Sequence, residues 1–331
     1  MLRVHFFGGE PMVARRVLER IVADTRAVCL REGLTPWFEI TTNGVFPAEA
    51  AEFLGDEIDS VVVSIDGDAA VHDALRRRPD GTGTYAEVAA TLRRLGRMPL
   101  ELCLRACVTE RSAPAMPVLA ARFCEVFSPS AIAFEMLAET DASREAGLAA
   151  PDPRMFALGL IEAERVASAY GVRVVHGPSE LVGPRTTSCP LGAGALMLWP
   201  GGEITGCYLD PARWRARGLE LSLGRVLPDG HVRVDTGRLA RIETALADRP
   251  RCERCFCRYT CAGGCHVDQT PPGCALEFDG RCQAIRLITA SRLLARVGCA
   301  DEASALLSSE KAAEALALHA DDRLGTWQKR V

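Results

Sequence analysis

The chain has 331 residues, enough for about two domains with buried cores. Its composition, 48% hydrophobic and 25% charged, is ordinary for a globular protein. A net charge of -4 and the lack of any apolar run near the roughly 20 residues of a membrane span predict no nucleic-acid and no membrane partner. The N-terminus lacks the charged and apolar regions of a signal peptide, so we expect a cytoplasmic protein.

The first half of the chain alternates strand and helix patterns. Six runs rich in apolar and β-branched residues predict strands: RVHFFGG, WFEITTNG, SVVVSIDG, LELCLRACVT, AIAFEML and VRVVHG. Helical periodicity predicts helices over about 13–31, 47–54, 85–97, 115–127 and 153–170. Strands that alternate with helices indicate right-handed βαβ units, so we expect an α/β fold with a parallel sheet.

Polar side chains recur on one face of four of these strands. Successive residues of a strand point to opposite faces, so the members of each set share a face. The sets are Glu39, Thr41 and Asn43; Ser64 and Asp66; Cys103, Arg105 and Cys107; and Glu135. Parallel strands are usually apolar on both faces because helices cover both. The pattern favours the lumen of a barrel that holds a polar ligand, and the alternative is that these residues cap loops at strand ends.

Cysteines dominate the second half. Nine of the 14 lie between residues 189 and 282, after a segment at 176–188 rich in Pro, Gly and Ser. A dense cluster in a reducing compartment indicates metal binding rather than disulfides. The pattern is Cys189-x12-Gly202-x4-Cys207, then Cys252-x2-Cys255-x5-Cys261-x3-Cys265, then Cys282. Thiolates on short spacers suit iron–sulfur clusters. Two zinc sites are the alternative, less favoured because only one C-x2-C pair is present.

This order of seven cysteines and one glycine resembles the SPASM domain of radical SAM enzymes that modify peptides. The first half resembles the same enzymes in the motifs FFGGEP, TTNG and SIDG and in the loop VHDALRRRPDGTGTY. The resemblance covers about residues 3–285. It implies a partial (β/α)6 radical SAM barrel over 1–178 that lacks its first strand. A cysteine-rich, loop-dominated SPASM domain over 186–285 and a C-terminal helical tail over 286–331 are then expected.

The resemblance also implies two auxiliary [4Fe–4S] clusters and their ligands. The ligands of the nearer cluster are Cys189, Cys207 and Cys265. Those of the outer cluster are Cys252, Cys255, Cys261 and Cys282. No cysteine lies between Cys189 and Cys207, so the fourth ligand of the nearer cluster stays open. Cys257, Cys274 and a substrate atom are the candidates, and the alternative for both cysteines is a buried structural thiol.

The resemblance further implies contacts with S-adenosylmethionine. The residues that match are Gly8, Gly9, Glu10, Asn43, Ser64, Asp66 and Arg105. The GGE triplet is expected to hold the amino group, and Arg105 could pair with a carboxylate through its planar fork. The alternatives are a turn cap for Ser64 and Asp66, and an ion pair of Arg105 with Glu39 or Glu135.

The sequence contains no C-x3-C-x2-C motif, which holds the first cluster of radical SAM enzymes. That cluster cleaves S-adenosylmethionine to a 5′-deoxyadenosyl radical, which abstracts a substrate hydrogen. Cys103 and Cys107 have the first spacing, but Glu110 stands at the third position. We expect a late start or a truncation and a chain that is inactive alone. The alternatives are a remnant that keeps only auxiliary clusters and a partner chain that supplies the first strand and cluster.

The function implied by the resemblance is maturation of a peptide or protein substrate. A reductant such as ferredoxin or flavodoxin is then expected to supply electrons. Sulfatase maturation is disfavoured, because Tyr208 follows Cys207 where those maturases commonly carry an aspartate; Asp210 is the candidate base. We expect a modifier of ribosomal peptides. The alternatives are a non-catalytic iron–sulfur electron-relay or peptide-binding subunit and, less favoured, a zinc-binding module.

Overall fold

The computed structural model describes residues 1–188, 194–216, 218–247, 252, 253, 255–265, 267, 279–311 and 316. The chain divides into two compact units. Unit 1 consists of residues 1–151 and 159–176, and unit 2 consists of residues 152–158 and the described residues from 177 onward. Within these described ranges, no helix combines the length and apolar character needed to cross a bilayer.

Unit 1 is built on a parallel sheet whose six strands lie side by side in chain order. The strands are β1 (Leu2–Phe6), β2 (Pro36–Thr42), β3 (Ser60–Ser64), β4 (Glu101–Val108), β5 (Ala131–Met136) and β6 (Arg173–Val175). The helices are α1 (Arg15–Glu32), α2 (Ala50–Glu57), α3 (Ala69–Leu75), α4 (Tyr85–Leu95), α5 (Met116–Phe127), α6 (Asp141–Glu145) and α7 (Pro153–Ser168), whose first part belongs to unit 2. The expected α/β fold is confirmed, and a strand lies in each of the six predicted runs.

The strands β2 to β5 each have one buried face, whereas in β1 only Phe6 is buried. Phe38 and Ile40 of β2 and Leu104 of β4 are buried, and the residues between them along each strand are half-buried. Apolar side chains of the helices, such as Leu92 of α4, complete this core. Burying one such side chain stabilises the fold by about 1.5–3 kcal/mol. The core therefore lies on one side of the sheet and leaves the other face for polar side chains.

Local signals set the ends of the helices. Gly33 ends α1 with a φ of 65°, a left-handed conformation that glycine adopts without strain, and its N–H donates to the carbonyl of Cys29. The predicted helix at 47–54 is displaced, because Ala50 N donates to Pro47 O in a turn that delays the start of α2 to Ala50. Helix α3 was not predicted, although Asp68 caps it by accepting from Val71 N.

One edge of the sheet is open in the part of the chain that the structure describes. There β1 pairs with β2 alone. In addition, α1 and the turn before it carry an exposed apolar stripe at intervals of one or two helical turns: Val13, Val17, Ile21 and Val28. This stripe differs from the buried face of α1, which includes Leu18 and Val22. We call these features together the open edge.

Unit 2 combines a small antiparallel sheet with helices. The sheet runs in the order β10–β9–β8–β7, with β7 (Met197–Leu198), β8 (Glu203–Thr205), β9 (Ser222–Val226) and β10 (Val232–Val234). The helices are α8 (Pro211–Arg215), α9 (Thr236–Ala247), α10 (Arg258–Cys261), α11 (Gly280–Arg296) and α12 (Ala300–Ser308). The sequence predicted a loop-dominated domain over 186–285 and gave no indication of these four strands. The expected C-terminal helical tail over 286–331 includes α12 and most of α11, and its residues 312–315 and 317–331 lie outside the described residues.

Candidate functional site

The half-buried face of the unit 1 sheet carries polar side chains, in the alternation that the sequence predicted. The strand register places Ser64 beside Arg105 and Arg105 beside Ala133. Two residues further along β4, Cys107 lies beside Glu135. Because Ser64 and Ala133 are short, Arg105 has the longest side chain among these three aligned residues. Binding of a polar ligand on this face stays a prediction.

The guanidinium of Arg105 forms no hydrogen bond or ion pair with any residue that the structure describes, whereas its backbone carbonyl accepts from Ile65 N at 2.9 Å. The alternative of an ion pair with Glu39 or Glu135 is therefore not found there. Glu39 instead accepts from Ser60 Oγ at 3.1 Å, and its carboxylate lies 3.5 Å from His5 Nδ1. A half-buried guanidinium with this freedom suits recognition of a carboxylate or phosphate.

The carboxylate of Glu10 fixes the GGEP segment to the end of β2. Oε1 accepts from Met12 N at 3.0 Å and from Thr42 Oγ1 at 2.7 Å, and Oε2 accepts from Asn43 N at 2.7 Å. The Asn43 side chain is also engaged, since its Oδ1 accepts from Val45 N. Gly8, with a φ of 153°, and Gly9 are exposed. Any ligand contact here would therefore come mainly from backbone groups of the glycines.

Asp66 lies at the centre of a closed network after β3. Its buried carboxylate accepts from Arg76 Nε at 2.5 Å and from Cys107 N at 2.9 Å. Arg76 belongs to the loop that follows α3. The buried His72 of α3 accepts from Asp66 N at 3.4 Å and contacts Thr84 Oγ1 at 3.0 Å. Burial lowers the pKa of His72 and keeps its ring neutral. Asp66 therefore has a structural role, since it joins Arg76 to the backbone of β4. The sequence indicated such a role only as the alternative of a turn cap.

Cys103 and Cys107 do not form a pair on β4. They are four residues apart on one face of a strand, which separates their Cα atoms by about 13 Å. Burial is the largest cause that raises the pKa of Cys103 to about 11, and the charge of Glu39 adds to it. Burial raises the pKa of Cys107 as well. These thiols stay protonated near neutral pH and are poor metal ligands.

Five cysteines surround one cavity in unit 2, which we call the outer cavity. Its enclosed volume, measured as the space open to the centre of a water molecule, is about 20 Å³, and the wider space of about 310 Å³ between its walls includes open solvent. Its walls are Cys252, Cys255, Cys257, Arg258, Cys261, Gly263, Cys282, Ile285 and Arg286. The four predicted ligands of the outer cluster are thus brought together. The fifth thiol, Cys257, lies among these outer ligands, which gives its candidacy for the nearer cluster no support.

Local structure explains this convergence. The chain turns tightly between the cysteines, with Cys255 N donating to Cys252 O and Cys261 N to Cys257 O. The cysteine of α11 is positioned by the start of that helix, because Asp279 Oδ1 accepts from Cys282 N at 2.8 Å. Short spacers on one side and a capped helix on the other therefore bring the thiols to one cavity.

The thiol of Cys255 is set up as a thiolate. A hydrogen bond from the Cys257 thiol is the largest cause that lowers the pKa of Cys255, to about 6, against the opposing effect of burial. Arg286 contributes through its charge and through a hydrogen bond from Nη1 to Cys255 Sγ at 3.1 Å. The same contact and burial raise the pKa of Cys257. Arg286 was not among the predicted site residues, although it lies one helical turn after Cys282 on α11.

The described thiols around the outer cavity are too far apart to hold a single metal ion. Among the residues with described positions, no group of three His, Cys, Asp or Glu side chains is close enough to hold one metal ion. Thiolates on one zinc ion, with bonds of about 2.3 Å, would have to lie about 3.8 Å from each other. A [4Fe–4S] cluster takes four thiolates at wider spacing around a larger body. The described thiols do not meet the first requirement, and a cluster at the outer cavity stays a prediction.

The predicted nearer cluster can be followed for two of its three ligands. Cys207 and Cys265 both pack against one apolar cluster: Ile204, Trp214, Leu221, Leu223, Ile242 and Val267. Leu209 N donates to Cys207 Sγ at 3.4 Å. Cys189 and the candidate Cys274 lie outside the described residues. Two of the three predicted ligands, Cys207 and Cys265, thus pack against the same apolar core. The nearer cluster itself stays a prediction.

Asp210 has a structural contact of its own. Its exposed side chain caps the five-residue helix α8, with Oδ1 accepting from Ala212 N at 2.7 Å. Tyr208 is half-exposed nearby in the chain. The structure gives no further support to Asp210 as a catalytic base, and that role stays a prediction.

Comparison with solved structures shows what this architecture is similar to. Native anSMEcpe with bound AdoMet and Kp18Cys peptide superposes with a TM-score of 0.67 and 19% identity, over 89% of this chain and 85% of that chain. This breadth of similarity covers both the parallel sheet and the cysteine-rich part. The chain has a radical SAM/SPASM-type fold. No protein-family model matches the sequence, and no curated protein is similar to it in sequence.

A more distant structure agrees with this fold. Streptococcus suis SuiB bound to S-adenosylmethionine has a TM-score of 0.50 and 13% identity, over 80% of this chain and 62% of that chain. SuiB bound to the precursor peptide SuiA has the same TM-score, with 14% identity, over 80% of this chain and 61% of that chain. Because the sequence identities are below 25%, the comparisons establish the radical SAM/SPASM-type fold alone. The activity of this chain has to be argued from its own residues.

Proposed function

We propose that this chain is the cluster-bearing part of a radical SAM/SPASM-type maturase that acts on a peptide or protein. The observation that carries the proposal is the convergence of Cys252, Cys255, Cys261 and Cys282 on the outer cavity. A [4Fe–4S] cluster there would supply electron transfer. The peptides bound by anSMEcpe and SuiB support a peptide as substrate.

The polar face of unit 1 would bind S-adenosylmethionine. Arg105 offers a guanidinium for the carboxylate, with Ser64 beside it in the register. The backbone at Gly8 and Gly9 would receive the amino group, because Glu10 is held by β2. Asp66 would keep the loop over this face in place through Arg76.

Radical formation would need a cluster that this sequence does not provide, since it has no C-x3-C-x2-C motif. We therefore propose that the chain binds S-adenosylmethionine without cleaving it alone. A strand and helix that carry the missing cluster would fit the open edge, and ferredoxin or flavodoxin would supply electrons. The second candidate function, an iron–sulfur electron-relay subunit, follows from the same absence combined with the thiol-lined outer cavity.

Iron and acid-labile sulfide analysis after anaerobic reconstitution tests the proposal. Two clusters predict about eight iron and eight sulfide per chain. Cys282→Ser and Cys207→Ser should each lose about half of both. Cys103→Ser is the matched control, because this thiol lies on β4 and should leave the content unchanged. Zinc without sulfide would instead establish the zinc-binding alternative.

A second assay separates the maturase from the electron-relay subunit. The reconstituted chain is incubated with S-adenosylmethionine and dithionite, and 5′-deoxyadenosine is measured. We expect binding of S-adenosylmethionine that Arg105→Gln weakens, and no cleavage. Absence of binding by the wild type would favour the electron-relay function, and cleavage by this chain alone would refute the need for a separate cluster.

A further inference from the structure

Arg286 is a charged residue in an interior position. It is 5% exposed and forms part of the wall of the outer cavity. It lies four residues after Cys282 on α11, so the two side chains occupy the same face of that helix. Its Nη1 donates to Cys255 Sγ at 3.1 Å. The guanidinium thus touches one predicted cluster ligand from the helix that supplies another.

Two further contacts hold this guanidinium in place. Nε donates to Leu316 O at 2.9 Å, and the central carbon lies 4.8 Å from the centroid of the Phe256 ring. A cation over an aromatic face is attracted to it, and the contact strengthens away from water. The side chain is therefore a fixed positive charge and a directed donor at the Cys255 sulfur.

We propose that Arg286 raises the reduction potential of the cluster held by the outer cysteines, through its hydrogen bond and charge at Cys255. The inference rests on the proposed function, because it requires that cluster. One electron from the reductant adds one negative charge to the cluster, part of which lies on the ligand sulfurs. A donor and a cation at such a sulfur stabilise the reduced state more than the oxidised state.

The role is distinct from ligation. The thiols alone determine whether a cluster binds, whereas Arg286 determines how readily the bound cluster accepts an electron. Loss of the charge should therefore leave iron and sulfide content intact while it moves the potential. If Arg286 only supported the fold, its loss should instead lower the iron and sulfide content and leave the potential of any remaining cluster unchanged.

The test is an electrochemical titration of the reconstituted full chain, followed by electron paramagnetic resonance. Arg286→Met removes the charge and the donor at similar size, and Arg286→Lys keeps a positive charge. Arg292→Gln is the matched control on the same helix, because Arg292 bonds Ser179 and Glu180 rather than the outer cavity. The signal of the outer cluster is identified as the one that Cys282→Ser removes.

We expect Arg286→Met to shift this signal to a more negative potential at unchanged iron and sulfide content. Arg286→Lys and Arg292→Gln should stay near the wild type. A wild-type potential in Arg286→Met with a full cluster would overturn the inference. Loss of the cluster in both Arg286 variants would also overturn the inference, because Arg286 would then be needed to hold the structure. An equal shift of the potential in Arg292→Gln would overturn it as well, because the shift would not be specific to the outer cavity. A wild type without iron and sulfide would instead refute the proposed function itself.

Discussion

Asp66 and Arg76 form an ion pair whose two members differ in exposure, and this makes a sharp prediction. The Asp66 side chain is 4% exposed, whereas that of Arg76 is 35% exposed. Asp66→Asn frees an arginine that can turn toward water. Arg76→Gln leaves a buried carboxylate with Cys107 N as a remaining donor. We therefore expect Arg76→Gln to destabilise unit 1 more than Asp66→Asn does.

The structure also sets the size of the two effects. Removing one partner of a fully buried ion pair costs about 3–5 kcal/mol. Arg76→Gln should approach the lower end, about 3 kcal/mol, because one backbone donor still serves Asp66. Asp66→Asn should cost about 1–2 kcal/mol, since the freed arginine is hydrated and asparagine can still accept from Cys107 N. The double variant should be more stable than Arg76→Gln alone.

Hydrogen–deuterium exchange of peptides that cover β4 measures these losses in unit 1 without interference from unit 2. Arg144→Gln is the control, because its pair with Asp141 is exposed on both sides and should contribute less than about 1 kcal/mol. The reasoning fails if Asp66→Asn costs as much as Arg76→Gln. It also fails if neither variant changes the exchange of Cys107 N.

Three other outcomes follow from single residues. The lowered pKa of His72 means that the folded state binds fewer protons, so stability should fall as pH drops below about 6.5, and His72→Gln should flatten that slope in denaturation at pH 5–7. Trp214→Phe loses the bond from its indole N–H to Leu209 O and leaves a void in a fully buried site, so exchange of β8 and β9 should show a loss of about 2–3 kcal/mol. Cys103, with a pKa of about 11, is about one part in a thousand thiolate at pH 8, so mass spectrometry should find slow alkylation that accelerates towards pH 11.

The sequence was sufficient for the parallel sheet because β1 to β5 have five or more residues and because periodic helices separate the strands, including the short β6 that follows α7. Burial on one face of β2 and β4 follows directly from the alternation in WFEITT and ELCLRACV. In unit 2, β7, β8 and β10 escaped prediction because they have only two or three residues, too few to show a period, and no periodic helix separates them.

The outer cavity was predictable as a set of cysteines but not as an electrostatic site. Spacing along the chain identified Cys252, Cys255, Cys261 and Cys282, yet it gave no means to see that Arg286 touches Cys255. The same limit applies to Asp66, whose partner Arg76 is ten residues away across α3. Side-chain contacts between elements depend on packing, which the periodicity of one element does not contain.

The open edge has a consequence for how long the protein survives in a cell. An uncovered strand edge and an exposed apolar helix stripe are surfaces that chaperones bind and that direct proteins to degradation. Whatever covers β1 and Val17 would therefore also protect the chain from turnover. A copy whose β1 and Val17 lacked a cover would therefore be removed before it accumulated.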